Sequence, residues 1–210
     1  MERIQIKENI EPHDEEVLSA EDDQATDDYE EVEEVPPPFL PQKRIIDHKY
    51  TLVLDLDETL IHYITDQDTE ILELLDGDED DVSYMIRPFC NQFLTELSNY
   101  FELVIFTAAM KDYADWIVDG IDKRGSIKHR LYRQHCRRTH VSRSEEEGGD
   151  YYMAVKDMRL LGRDIKKTII IDNLKENFWS TCPNNGLEIK SWYGVDMCDQ
   201  ELKNFIPFLK

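Results

Sequence analysis

From Tyr50 onward the chain alternates between two kinds of apolar spacing. The runs "YTLVLDL" (50–56), "ELVIFTA" (102–108) and "KKTIIIDN" (166–173) are short, rich in Val, Ile and Leu, and bounded by polar residues. That is the pattern of strands buried on both faces of a parallel sheet. Between them, "PFCNQFLTELSNYF", opening on Pro88, and "MKDYADWIVDGIDKRG", closing on Gly125, carry apolar residues at helical spacing. Proline starts a helix at little cost and glycine ends one readily. Strands alternating with helices predict an α/β fold: a parallel sheet with helices on both faces. In such sheets ligands bind beyond the carboxyl ends of the strands, where Asp55, Thr107 and Asp172 fall.

Composition separates this pattern from what precedes it. Residues 1–41 hold 15 Asp and Glu against Arg3 and Lys7, a net of −13 out of the chain's −22. "EDDQATDDYEEVEEVPPPFLP" has no apolar periodicity and ends in a proline cluster. Residues 1–43 therefore read as an acidic disordered tail and 44–210 as one globular domain. No run approaches the length of a membrane span, and the acidic N-terminus lacks the features of a signal or transit peptide. The expectation is a soluble protein of nucleus or cytoplasm. The negative charge disfavours nucleic acid as a partner. Cys90, Cys136, Cys182 and Cys198 form no C-x-x-C pair and read as reduced structural thiols. Trp116, Trp179 and Trp192 are expected in the core.

"LVLDLDETL" raises the question of chemistry, because it sets Asp55 and Asp57 two positions apart at the end of a greasy strand. A second D-x-D match at Asp78 lies in "DGDEDD", with no strand before it. That loop also fails as a calcium loop, with Asp81 and Arg87 where Gly and Glu are required. Two carboxylates at a strand end become tolerable beside a divalent cation. Alternation along an extended chain also gives them different jobs: Asp55 can attack a phosphorus atom while Asp57 handles protons.

Together "LVLDLDETLIH", "IRPF", "FELVIFTA", "YAD", "VKDMRLLGRD" and "IIIDN" resemble the small C-terminal-domain phosphatases, the FCP/SCP or NLI-interacting-factor-like branch of the haloacid dehalogenase superfamily. The resemblance runs from about Tyr50 to Phe208. It implies a magnesium-dependent protein serine/threonine phosphatase with a small hairpin insertion, here across 71–87, and no large cap domain. Asp55 would form an aspartyl-phosphate, Asp57 would be the acid and base, and Thr107 and Lys156 would hold the transferring phosphoryl group. Arg133, Thr59, Met110 and Tyr113 would contact substrate. Asp55, Asp57, Asn173 and Asp172 would surround Mg2+. The partner implied is a phosphoprotein bearing phosphoserine or phosphothreonine, the RNA polymerase II C-terminal domain among the candidates.

Some features depart from that family. "RRTHVSRSEEEGGDYY" lengthens the chain before Lys156 by about ten residues and reads as a surface loop. "YIT" at 63–65 replaces an aromatic that would wall a proline pocket. His62, His129 and the cluster His135, Cys136 and His140 have no standard zinc spacing. Cations in "KHRLYRQHCRR" and at Lys156, Arg159, Arg163, Lys166 and Lys167 suggest a basic strip for which the acidic tail could compete. Two other readings remain open: a non-catalytic binding module of import-receptor type, and a small-molecule phosphatase.

Overall fold

The computed structural model describes residues 35–44, 47–74, 83–142 and 151–210. Its centre is a five-stranded parallel sheet ordered β5-β4-β1-β8-β9. These strands are β1 (Tyr50–Leu54), β4 (Phe101–Phe106), β5 (Ile127–Leu131), β8 (Thr168–Asp172) and β9 (Gly186–Glu188). The three strands expected from the apolar runs are thus neighbours, with β1 between β4 and β8.

Alternation along each strand sorts its side chains between two cores. Leu52, Leu54, Leu103, Ile105 and Ile171 join one cluster with α2 (Cys90–Leu97), α3 (Lys111–Ile121) and α5 (Glu201–Leu209). Val53, Val104, Phe106 and Ile170 face the other way. On that second face the cover is Phe178 of the four-residue helix α4 (Glu176–Trp179), the 3-10 turn Met158–Leu161, and Leu40.

Leu40 belongs to a stretch that composition placed in the tail. Residues 35–44 instead lie against the domain: Phe39 N donates to Leu160 O (3.0 Å) and Leu40 N to Leu161 O (3.2 Å). Leu40 is 4% exposed. Phe39 and Leu40 pack on a sheet face that, among the described residues, no long helix covers. The rest of the expected tail, residues 1–34, lies outside the described residues, as does the Asp78 loop.

Two antiparallel pairs are attached. Strands β2 (Ile61–Tyr63) and β3 (Tyr84–Ile86) pair across an insertion holding α1 (Thr69–Leu74). The hairpin therefore begins at Ile61, ahead of the 71–87 span expected for it. Only nine residues, 75–83, separate α1 from β3, too few for a cap domain. Strands β6 (Arg137–Val141) and β7 (Tyr151–Val155) pair over five residues. The ends of the expected surface loop are thus a ladder, while 143–150 lie outside the described residues.

Of the tryptophans, Trp192 is buried, whereas Trp116 and Trp179 are 38% and 51% exposed. Trp116 meets Tyr84 edge-on, and Lys175 lies over the Trp179 ring. An indole packs well against partners such as these at a surface, so aromatic character alone did not locate it.

Candidate active site

Register brings three strand ends together. Leu54 is level with Ile105 on β4 and with Ile171 on β8, so Asp55, Thr107 and Asp172 emerge at one rim of the sheet. Beyond Asp55 the backbone winds around the carbonyl of Leu56, which accepts from the N–H groups of Thr59, Leu60 and Ile61. Glu58 closes this loop with φ of 55°, a left-handed conformation that costs a side-chain-bearing residue energy. The loop turns the Thr59 hydroxyl back to donate to Asp55 Oδ2 at 3.0 Å. Buried Arg87 secures it from outside. Its guanidinium donates to Thr59 O (3.1 Å) and to both oxygens of Asp199, which neutralises its charge.

Lys156 reaches the same point from the end of β7. Fully buried, its ammonium donates to Asp55 Oδ1 (2.5 Å) and Asp172 Oδ2 (2.7 Å). Asp172 is oriented by donors on its other oxygen, Leu174 N and Asn177 Nδ2. Burial disfavours the ammonium, but the two carboxylates outweigh it and hold Lys156 above its usual range. One ammonium shared by two carboxylates leaves Asp55 under-compensated. Burial pushes its carboxyl up to about 7, Lys156 opposing and Asp172 and Asp57 adding to the rise.

Asp57 points to a different set of partners. Its Oδ1 accepts from the Tyr113 hydroxyl at 2.6 Å and its Oδ2 from Thr107 Oγ1 at 3.4 Å. Thr107 Oγ1 itself accepts from Ala109 N. Burial and the Asp57 charge raise the Tyr113 phenol, so it stays a donor. Tyr113 meets Tyr63 edge-on and lies tilted against Trp116, making an aromatic rim on this side. Met110, the residue before α3, is exposed. Arg133 starts a 3-10 turn, anchored by its Nε donating to Ala108 O at 2.7 Å.

The structure thus brings the five residues Asp55, Asp57, Thr107, Lys156 and Asp172 to one rim in two bonded groups, Asp55, Lys156 and Asp172 with Thr59, and Asp57 and Thr107 with Tyr113. Thr59 is completely buried and bonds the Asp55 carboxylate, a supporting position rather than the substrate contact expected of it. Asn173 stands beside the group, its Nδ2 donating to Ser191 Oγ. Sequence reading missed Ser191 and Asn177, whose residue types carry no signal of their own. The expected basic strip is mostly neutralised. Arg130 pairs with Asp115 and Asp119, Arg137 and Arg159 with Asp157, Arg163 with Glu102, and Lys167 with Asp164. Among the described residues Arg133 has no carboxylate partner.

A parallel sheet of this order, with paired aspartates after its central strand and a lysine and a third aspartate beside them, defines a domain of the haloacid dehalogenase type. The model of the NLI interacting factor-like phosphatase family matches residues 50–210, and the chain belongs to that family. A CTD small phosphatase-like protein 2 of Dictyostelium discoideum is 39% identical over 183 residues, covering 83% of this chain and 29% of the relative. The CTD small phosphatase-like protein of Mus musculus is 35% identical over 192 residues, covering 87% of this chain and 65% of the relative. The chain therefore spans less than two thirds of the length of these curated relatives. A solved structure of Fcp1, described as an essential RNA polymerase II CTD phosphatase, is similar with a TM-score of 0.50. At 21% identity, over 77% of this chain and 50% of that one, it supports the fold. Among the described residues no helix is long and apolar enough to cross a membrane.

Proposed function

We propose that the chain hydrolyses phosphate monoesters on serine and threonine side chains of proteins, with Asp55 as nucleophile and Asp57 as acid and base. The observation that carries this reading is the division of labour between the two carboxylates. Asp55 is gripped by Lys156 and Thr59, whereas Asp57, two residues on, is oriented by Tyr113 and Thr107.

An oxygen of Asp55 attacks phosphorus, and the P–O bond to the serine or threonine oxygen breaks. Protonated Asp57 gives its proton to that leaving oxygen, and the resulting carboxylate then takes a proton from water. This water attacks the aspartyl-phosphate, releasing phosphate and regenerating Asp55. Lys156 and Arg133 supply positive charge to the phosphoryl oxygens, and Thr107 a hydroxyl donor. Such preorganised charge acts most strongly in a site shielded from water.

The residues present fit Mg2+, on which phosphatases of this superfamily generally depend. Of the carboxylates Asp55, Asp57 and Asp172, two share the Lys156 ammonium and the third bonds only hydroxyl groups among the described residues, a deficit that a dication would offset. Asn173 gives its Nδ2 to Ser191, which turns the amide oxygen into the end left for a metal. Asp55, Asp57, Asn173 and Asp172 offer only hard oxygen donors, as Mg2+ prefers. Bound there, Mg2+ would neutralise phosphate charge and favour the ionised form of Asp55.

The β2–β3 hairpin in place of a cap suits phosphate carried on a protein. A phosphopeptide array with Mg2+, including RNA polymerase II tail repeats and unrelated phosphoserine peptides, tests the reading. Turnover that disappears in EDTA and in Asp55→Asn is expected. Binding of phosphopeptides without turnover would indicate a binding module, and preferential turnover of sugar phosphates or nucleotides a small-molecule phosphatase.

A further inference from the structure

One residue outside the family match touches three segments of the site. The Phe39 ring meets Phe106 edge-on, with centroids 6.5 Å apart, immediately before Thr107. It meets His135, two residues after Arg133, at 5.2 Å. Its N–H donates to Leu160 O in the turn that follows Lys156. Thr107, Arg133 and Lys156 come from separate stretches of chain, and Phe39 rests on a near neighbour of each.

The residues around Phe39 hold it there. Val35 N donates to Gln134 O (3.3 Å), and Leu40 is buried among Met158, Leu161 and Phe106. Pro41 O accepts from Arg163 Nη1 at 2.8 Å. Gly162 has φ of 74°, and a Cβ placed on it would come within 2.7 Å of the Pro38 Cβ. The distal part of "VKDMRLLGRD" thus receives the strap: Leu160 and Leu161 accept its N–H groups, Gly162 makes room, and Arg163 bonds its carbonyl. Among the described residues no long helix fixes the turns beyond the strands on this face, so their relative placement depends on what spans them.

Building on the phosphatase reading above, we propose that Phe39 is a positioning residue, the centre of a strap of residues 35–41 that sets Thr107, Arg133 and Lys156 at the spacing one phosphate requires. The functional unit therefore includes residues 35–41, ahead of the strand at which the family match begins. Loss of the Phe39 ring loosens the phosphate cradle, weakening its grip on substrate and product alike.

The test uses the full chain at a temperature where each variant is folded by circular dichroism. Affinity for inorganic phosphate is measured by calorimetry with Mg2+, and KM and kcat with an aryl phosphate. Phe39→Ala is expected to weaken phosphate binding and raise KM in parallel, each about fivefold, as loss of a preorganised site does. Phe39→Leu should restore most of both. Ile206→Ala, in the core on the opposite face, controls for lost stability and should alter neither. Gly162→Ala, which pushes on Pro38 from the domain side, should reproduce the Phe39→Ala signature without adding to it in the double variant. Unchanged phosphate affinity in Phe39→Ala, or an equal loss in Ile206→Ala, overturns the proposal. A wild-type chain that binds phosphate without turnover would refute the phosphatase reading while the strap is still judged by affinity. A wild type that does neither refutes both.

Discussion

Replacing Asp55 by Asn tests the electrostatics of the site without relying on turnover. Burial lifts the Asp55 carboxyl from the usual 3.8 to about 7, because Lys156 is shared with Asp172 and compensates only in part. A group with a raised folded-state value favours the folded state while it is protonated. Its contribution is present in full below about pH 4 and disappears as pH rises through 7. Asparagine fills the same space and has no proton to lose. The stability of wild type relative to Asp55→Asn should therefore fall by about 1.4 kcal/mol per pH unit, up to about 4 kcal/mol between pH 4 and 7. Urea unfolding of both proteins in EDTA, at half-unit steps across that window, measures the difference directly. Added Mg2+ should recover much of the loss for wild type above pH 7 and little for Asp55→Asn, since a ligand of the folded state stabilises it. A difference flat to within about 0.5 kcal/mol, or rising with pH, would refute the reasoning. Lys156 would then hold Asp55 ionised throughout.

Tyr113→Phe keeps the ring contacts to Tyr63 and Trp116 but removes the bond to Asp57. Such a bond to a charged group is worth about 1.5–3 kcal/mol, so kcat on an aryl phosphate should drop about 10- to 100-fold. An unchanged kcat would mean that the hydroxyl does not orient the acid. Arg133→Ala should reduce kcat/KM for phosphopeptides, and Arg138→Ala should reduce it less. Equal losses would replace a phosphate clamp with diffuse attraction. For Glu102, burial disfavours the charge, but bonds from Arg163, His129, Lys43 and Thr51 outweigh it and hold the carboxyl well below its usual range. Its contribution is present above about pH 5 and lost as pH falls. The stability gap between wild type and Glu102→Gln, followed by urea melts, should accordingly narrow from pH 5 downward.

The three central strands and helices α2 and α3 were legible in the chain because each is specified by local periodicity. So was the placement of Asp55, Thr107 and Asp172 at strand ends. A residue's position along a strand or helix follows from its near neighbours, and a parallel sheet aligns the ends whatever its details. The motif resemblance added Lys156, which periodicity alone would have left at the surface. What tertiary structure decided were contacts between residues far apart in sequence. Tyr113 bonds Asp57 from 56 positions away, and Arg87, which braces the Thr59 loop, is itself paired with Asp199, 112 positions on. The same reason governs the strap. Its composition is that of a disordered tail, and no local signal marks Phe39 and Leu40 as core. They become so only because the sheet, once formed, has a face that no long helix among the described residues covers, and two apolar side chains can pack on it.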